Sequence, residues 1–387
     1  MSRSACPACA EMDASDVVRL DCAPRSHVIE AGRRPGPADF AVLEIVRCTS
    51  CGHMWNAGAE AVLGHHAEFL TNAPVSEEMA SRHRHLVGEL TAGRTGALRV
   101  LDVGAGSGAL SAAFASAGHV VTAVEPSRAL EPSTGMRFGF RVLNHPWPVA
   151  GIAGETFDLV VCVQVLEHTH DPVVVLASIL RVLAPGGRAY VEVPSGDWVS
   201  AHRSPIDIHA PHTHYFSGSS FRLVARRAGS HVGAVREILH GRDVGYTLVG
   251  GDGTADLPQP GAAGDLGAAV GQLRERVASL SDHRVAIYGA NAGTQALLGW
   301  VPAGPWDVVL DDTPAYWGHS VYSSDSVIPI ADPRAIDMSV YTHVLIASYV
   351  HDSAIARRLR ERGFSGEILS LRPPTAVTDG PPSLLGV

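Results

Sequence analysis

The stretch Val100-Leu-Asp-Val-Gly-Ala-Gly-Ser-Gly108 decides the fold of the central part of this chain. It reads as a short apolar strand that runs directly into three glycines, and residues 109–117 then have the pattern of a helix. A strand, a glycine turn and a helix in this order let a nucleotide-like ligand approach the backbone at the carboxyl edge of a sheet. The stretch therefore predicts a ligand site at the edge of an α/β sheet.

Short apolar segments alternate with helical patterns on both sides of this stretch. The predicted strands of the central part are residues 99–103, 120–124, 157–163 and 188–193. Such alternation predicts a doubly wound, Rossmann-like parallel sheet with helices on both faces. A second series of apolar segments, which begins near residue 284, predicts another, smaller Rossmann-like α/β sheet.

Glu125 supports the interpretation of the glycine turn as a site for a nucleotide-like ligand. It ends the next predicted strand, at the place where a carboxylate can accept hydrogen bonds from both hydroxyls of a ribose. A dinucleotide-binding dehydrogenase is the rival interpretation, but its G-x-G-x-x-G pattern places the third glycine one residue later than Gly108. Asp102 also lies beside the turn, where a carboxylate suits a cationic amino-acid ligand better than a diphosphate.

Together these motifs resemble the class I methyltransferases that depend on S-adenosylmethionine (SAM). The resemblance also rests on the strand beginning Phe157-Asp-Leu-Val, the turn Leu166-Glu-His168 and the Pro-Gly-Gly at 185–187. It implies SAM as the cofactor, with its ribose on Glu125 and its methionine part near Asp102. The predicted cofactor-binding residues are Asp102, Gly104, Ala105, Gly106, Gly108, Glu125, Pro126 and Gln164.

Four of the six cysteines form two pairs, Cys6-Pro-Ala-Cys9 and Cys48-Thr-Ser-Cys51. The two-residue gap lets both thiolates of a pair reach one tetrahedral metal, and two such pairs complete a four-cysteine zinc site. Disulfides are disfavoured in the reducing cytoplasm, where we expect the protein. Four protein ligands leave no position for water, so this zinc is predicted to be structural.

A histidine-rich loop follows the predicted strand at 188–193. His209, His212, His214 and Tyr215 lie within seven residues and predict a cluster for proton transfer. Two alternatives remain open at this point: a polar loop without catalytic function, and a second metal site formed by the three histidines with Asp207.

The order of parts resembles the C-methyltransferases that act on nucleotide-linked keto-deoxysugars. Those proteins also have a four-cysteine zinc module, a SAM-binding core and a carboxyl-terminal α/β domain. The matching carboxyl-terminal motifs are Tyr288-Gly-Ala-Asn-Ala-Gly293, Asp311-Asp-Thr-Pro-Ala-Tyr-Trp-Gly318 and Ile328-Pro-Ile330. The resemblance implies His212 as the base, with a hydrogen bond to the enolate oxygen from Tyr215, His209 or His214. Pro211 replaces a glutamate of the family, which keeps an O- or N-methyltransferase as the alternative.

These parts predict a division of the chain and its partners. The predicted segments are 1–60 for the zinc module, 61–95 for a helical connector, 96–249 for the SAM-binding core, 250–281 for a linker and helix, 282–372 for the carboxyl-terminal domain and 373–387 for a tail. A net charge of −9 disfavours nucleic acid as a partner. No apolar run is long enough for a membrane helix, and no secretory signal is evident. The chain has no lysine and 30 arginines, so lysine chemistry is excluded and any proton abstraction falls to His, Tyr, Asp or Glu. The expected partner is a small-molecule substrate.

Overall fold

The computed structural model describes residues 5–58, 77–127, 130–148, 150–250, 261, 264–348, 351–372 and 380–384. Residues 61–76 of the predicted connector, part of the linker and most of the tail lie outside these residues. The strands are β1 (Ala14–Pro24), β2 (Phe40–Cys48), β3 (Met54–Asn56), β4 (Arg99–Val103), β5 (Val120–Val124), β6 (Arg141–Leu143), β7 (Phe157–Val163), β8 (Leu183–Pro194), β9 (His214–Tyr215), β10 (Ser230–Ile238), β11 (Asp243–Gly250), β12 (Val285–Tyr288), β13 (Trp306–Leu310), β14 (Ser320–Tyr322), β15 (Val327–Ala331), β16 (His343–Ile346) and β17 (Glu367–Ser370).

The helices lie between these strands. They are α1 (Glu77–Thr91), α2 (Ala109–Ser116), α3 (Pro132–Phe138), α4 (Pro172–Arg181), α5 (Gly196–His202), α6 (Gly218–Arg227), α7 (Leu266–Ala278), α8 (Ala292–Trp300) and α9 (Asp352–Glu361). Among the described residues, none of the helices combines the length and the apolar character that crossing a membrane requires.

The central sheet has seven strands in the order β10-β11-β8-β7-β4-β5-β6. Strand β4 pairs in parallel with β5 and β7, and β7 pairs in parallel with β8, as the alternating pattern predicted. The prediction of an entirely parallel sheet is wrong at one edge, where β11 runs antiparallel to both β8 and β10. Leu239, His240 and Gly241 have positive φ angles, and this tight turn joins β10 to β11 as a hairpin. The sheet is therefore mixed.

The amino-terminal strands form a separate sheet with the order β1-β2-β3-β9. Strands β1 and β2 make a long antiparallel hairpin, and β3 continues the sheet along β2. The fourth strand, β9, comes from the histidine loop: Met54 is opposite Tyr215 and Trp55 is opposite His214. Strand pairing thus connects the amino-terminal segment to the candidate site.

The third sheet has six strands in the order β14-β15-β13-β12-β16-β17 and is parallel except for β14. Helix α8 follows β12 and begins with a cap, because Oδ1 of Asn291 accepts hydrogen bonds from the amides of Gly293 and Thr294. At the other end of α8, the buried Trp300 indole donates to the carbonyl of Pro205 at 2.7 Å. This bond connects the third sheet to the chain segment that precedes the histidine loop.

Candidate functional site

The glycine turn after β4 is held against the end of β5. The amides of Gly104 and Ala105 both donate to the carbonyl of Val124, at 2.8 and 3.1 Å. Gly104 has a φ of +73°, and a Cβ atom here would lie 2.3 Å from a methyl carbon of Val165. Gly108 has a φ of +78°, and its Cβ would lie 2.7 Å from Leu130. Close packing within the protein therefore explains why glycine is required at these two positions.

Gly106 is different, because open space lies above it. Its φ is +54°, and no described atom lies within 4 Å of the position that a Cβ would take. The amide of Gly106 donates to Oε2 of Glu125 at 2.8 Å, and the amide of Ser127 donates to Oε1 at 2.8 Å. The predicted acid therefore stands beside the one glycine of this turn that faces unfilled space.

The carboxylate of Glu125 can accept further hydrogen bonds from a ligand. A carboxylate can accept about four hydrogen bonds, of which the two backbone amides use two. Its side chain is 7% exposed, so it is buried but reaches the surface of the turn. Both features fit a ribose diol.

The other predicted cofactor residues surround this turn. Asp102 is buried on β4, where it accepts a hydrogen bond from Oγ of Ser111 at 2.6 Å, and burial raises its pKa to about 6. Ala105 is partly exposed and Pro126 is exposed. Gln164 has a φ of +56°, a conformation that non-glycine residues rarely adopt, and its amide donates to the carbonyl of Glu192 at 2.9 Å. All of these residues lie at or just beyond the carboxyl ends of the central strands.

Three of the predicted catalytic side chains come together. The ring centroids of His209 and His212 are 3.9 Å apart, and those of His212 and Tyr215 are 6.0 Å apart. His168, at the end of the turn Leu166–His168, joins them with its ring 4.9 Å from that of His212. The loop and the end of β7 thus form one cluster of aromatic and titratable side chains, which we call the histidine cluster (His168, His209, His212 and Tyr215).

Buried polar atoms of the histidine cluster lack partners. Within the described residues, Nδ1 of His209, Nδ1 of His212 and the hydroxyl of Tyr215 make no hydrogen bond. Burial lowers the pKa of His209 to about 3 and lowers that of His212 well below its ordinary value. Both rings are therefore neutral near pH 7. Burial raises the pKa of Tyr215, so its hydroxyl keeps its proton and can donate.

His214 has partners on both ring nitrogens. Its Nε2 lies 3.0 Å from the carbonyl of Thr169, and its Nδ1 lies 3.2 Å from Nε2 of His53. Because a carbonyl can only accept, Nε2 carries the hydrogen and Nδ1 accepts from His53. The predicted hydrogen bond from His214 to a substrate does not fit this arrangement, since its only N–H is used within the protein.

Asp207 is also engaged elsewhere. Its Oδ1 accepts two hydrogen bonds from Arg242, at 3.0 and 2.7 Å, and its Oδ2 accepts one from Ser204 at 2.6 Å. The fold therefore does not form a metal site from Asp207, His214 and the other loop histidines.

Glu167 lies in the turn Leu166-Glu-His168, and the sequence assigned it no role at the site. Its side chain is fully buried, and neither carboxylate oxygen has a hydrogen-bond partner among the described residues. One of its oxygens and a ring nitrogen from each of His168 and His212 lie within 4.8 Å of one another. The carboxylate thus lies beside two histidines of the site.

The four predicted zinc ligands come together in one cluster. Their sulfur atoms all lie within 4.8 Å of one another, with Cys6 and Cys51 3.7 Å apart and Cys9 and Cys48 3.5 Å apart. All four are free thiols. Arg227 of α6 donates to the carbonyls of Pro7 and Ala8, which attaches this cluster to the central sheet's helices.

Comparison with known proteins agrees with the central fold. Residues 71–233 match the family model described as a methyltransferase domain. The chain is 38% identical over 103 residues to the ubiquinone biosynthesis O-methyltransferase of Bordetella bronchiseptica, which is 25% of this chain and 43% of the relative. It is 35% identical over 99 residues to the enzyme of the same name from Xanthomonas oryzae, covering 24% and 41%. The chain thus spans less than half the length of these curated relatives.

One solved structure is similar to part of the chain. A 1,6-didemethyltoxoflavin-N1-methyltransferase of Burkholderia thailandensis, with S-adenosylhomocysteine bound, is 25% identical and covers 46% of this chain and 80% of its own, with a TM-score of 0.37. The family match and the sheet with its glycine turn identify a class I SAM-dependent methyltransferase domain in this chain.

Proposed function

We propose that the protein is a methyltransferase that transfers a methyl group from SAM to a small molecule. The observation that carries this proposal is the open space above Gly106 beside the Glu125 carboxylate, within a methyltransferase domain. Glu125 would hold the ribose, and Asp102 and Gln164 would border the methionine part. SAM supplies an activated methyl group, so the protein's main task is to align the reactants.

Binding of the cofactor can be tested without a substrate. We expect calorimetry to show binding of S-adenosylhomocysteine and no binding of NAD⁺ at the same concentration. Binding of NAD⁺ alone would replace the methyltransferase proposal with the dehydrogenase that the glycine turn also resembles.

For the acceptor, we propose carbon methylation of a nucleotide-linked keto-deoxysugar. The support is the histidine cluster, in which a neutral His212 can accept a proton from the carbon next to a ketone. Tyr215 or His209 would donate a hydrogen bond to the enolate oxygen, which makes so weak a carbon acid accessible to an imidazole. His214, whose N–H is bound to Thr169, would position the loop.

O- or N-methylation of another small molecule is the second candidate. Two observations favour it: Pro211 stands where the sugar enzymes have a glutamate, and the relatives from Bordetella and Xanthomonas are named O-methyltransferases. Transfer of a ¹³C-labelled methyl group to a panel of nucleotide-linked keto-deoxysugars, followed by NMR, separates the candidates. A labelled methyl bonded to oxygen or nitrogen would refute carbon methylation.

We further propose that the four cysteines bind a structural zinc ion. A tetrahedral site with Zn–S bonds of about 2.3 Å places its sulfurs about 3.8 Å apart. The sulfur distances of 3.7 and 3.5 Å fit this geometry. We expect about one zinc per chain by elemental analysis, and its loss in Cys48→Ser. Full zinc content in that variant would refute the site, and Cys22→Ser is the matched control, because Cys22 is exposed on β1.

A further inference from the structure

Glu167 is the acidic side chain of the site whose burial the proposed function does not yet explain. It lies in the turn Leu166–His168 at the end of β7, with a fully buried side chain. Neither of its oxygens has a hydrogen-bond partner among the residues that the structure describes, and the nearest ionisable contact is Nε2 of His168 at 3.8 Å. An ionised carboxylate without a donor is costly in such a place, so a partner is to be expected.

The backbone of this turn holds the loop that carries His212. The carbonyl of Glu167 accepts hydrogen bonds from both the amide and the hydroxyl of Thr213, each at 2.8 Å. Nδ1 of His168 lies 2.8 Å from the carbonyl of Pro211 and donates to it. His212 is therefore fixed on both sides, directly against residues 167 and 168.

His212 has one buried and one accessible side. Its Nδ1 is buried without a partner, whereas the residue as a whole is partly exposed. A carboxylate oxygen of Glu167 and a ring nitrogen of His212 lie within 4.8 Å of each other. The carboxylate without a donor and the buried Nδ1 without a partner thus belong to two neighbouring side chains of the site.

No arginine among the described residues pairs with Glu167. Arg242, whose charge acts on His209 and His212, is paired with Asp207. Burial raises the pKa of Glu167 well above its ordinary value, and the charges of Asp243 and Glu192 raise it further. Burial and the charges of His209, His168 and Arg242 lower the pKa of His212, so its ring is neutral and has a single N–H to donate.

We propose that Glu167 is a positioning residue: its carboxylate accepts a hydrogen bond from Nδ1–H of His212 and leaves Nε2 of that ring as the proton acceptor. The role in turnover rests on the proposed function. When Nε2 takes the proton from the substrate carbon, the electrons of the C–H bond remain on the substrate as the enolate. Accepting this hydrogen bond counteracts the burial that raises the pKa of Glu167, and the ionised carboxylate stabilises the imidazolium, as the buried carboxylate does in a Ser-His-Asp triad.

Two variants separate the hydrogen bond from the charge. In Glu167→Gln the amide oxygen can still accept from Nδ1–H, but the negative charge is gone. In Glu167→Met a chain of similar length can do neither. Both variants should fold, because burying a neutral side chain costs less than burying a carboxylate. Glu131→Gln, at an exposed position, is the control.

The first measurement needs no substrate. We expect ¹⁵N NMR of labelled histidine at pH 7.5 to show His212, assigned by its loss in His212→Gln, with hydrogen on Nδ1. Glu167→Gln should keep this tautomer, and Glu167→Met should lose the preference. Hydrogen on Nε2 in the wild type, or the same tautomer in all variants, would overturn the inference.

The second measurement is turnover with the labelled-methyl assay. Loss of the charge in Glu167→Gln should lower kcat about 100-fold or more, while the Kd of S-adenosylhomocysteine changes less than about threefold. Unchanged kcat would overturn the inference. So would a second metal equivalent in the wild type that Glu167→Gln loses, since Glu167 would then be a ligand together with His168 and His212. If the wild type methylates no acceptor, the proposed function fails, and the tautomer still decides whether Glu167 orients His212.

Discussion

Replacement of Glu125 by alanine tests the cofactor site most directly. Each carboxylate oxygen already accepts one backbone amide at 2.8 Å, which leaves one hydrogen bond per oxygen for the ribose. Hydrogen bonds to a charged group contribute about 1.5–3 kcal/mol each, so two at the lower bound amount to about 3 kcal/mol. This corresponds to binding that is roughly 150-fold weaker.

Calorimetric titration with S-adenosylhomocysteine measures this loss, and circular dichroism checks that the variant is folded. Glutamine is not a conservative replacement here, because the amides of Gly106 and Ser127 both donate and an NH₂ group would oppose one of them. Glu131→Ala is the matched control, at an exposed position before α3. A folded Glu125→Ala protein whose Kd is within about threefold of the wild type would refute the assignment of the ribose to Glu125.

Three further predictions test the turn, the loop and the buried histidines. Gly106→Val should abolish binding of S-adenosylhomocysteine in the same titration, because the valine side chain would occupy the space of the ligand. The variant should lose only about 1–3 kcal/mol of stability, because the same side chain meets no protein atom. A normal Kd would contradict this prediction. His53→Phe leaves Nδ1 of His214 buried without a donor, so denaturant unfolding should show a loss of about 1–3 kcal/mol; unchanged stability would argue against the bond. The pKa of His209 is about 3 in the folded protein and 6.5 as its ordinary value, so only the unfolded chain takes up this proton as the pH falls below 6.5. When the pH falls from 7.5 to 5.5, the free energy of unfolding of the wild type should therefore decrease by about 1.4 kcal/mol more than that of His209→Gln.

The local pattern of the central segment was sufficient to predict β4, β5 and β7, because each strand is a short apolar run bounded by turns. Pairings between distant segments were not predictable in this way. Strand β9 has two residues and no alternation to detect, and it forms because β3 offers its edge. The antiparallel β11 likewise depends on pairing with β8, which no property of residues 243–250 alone reveals.

The residues of the candidate site also differ in whether the local sequence predicts them. Glu125 and Gly106 were identified because strand order alone brings the ends of neighbouring parallel strands together. Glu167 was not identified as a site residue, because the sequence does not show that its carboxylate is buried without a partner. His53 carried no signal at all. Its contact with His214 arises only when β3 and β9 pair.

The cysteine cluster and the histidine cluster are connected through His53. This residue follows Cys51 by two positions, and its Nδ1 lies 3.2 Å from Oγ of Ser220 in α6. Its Nε2 donates to His214, which donates in turn to Thr169 directly after the turn that carries Glu167 and His168. Every N–H in this chain of bonds has one acceptor, so the tautomers of both rings are fixed. The amino-terminal segment thus contacts the loop and the turn that together form the histidine cluster, so the zinc ion proposed at the cysteines would also stabilise the geometry around His212.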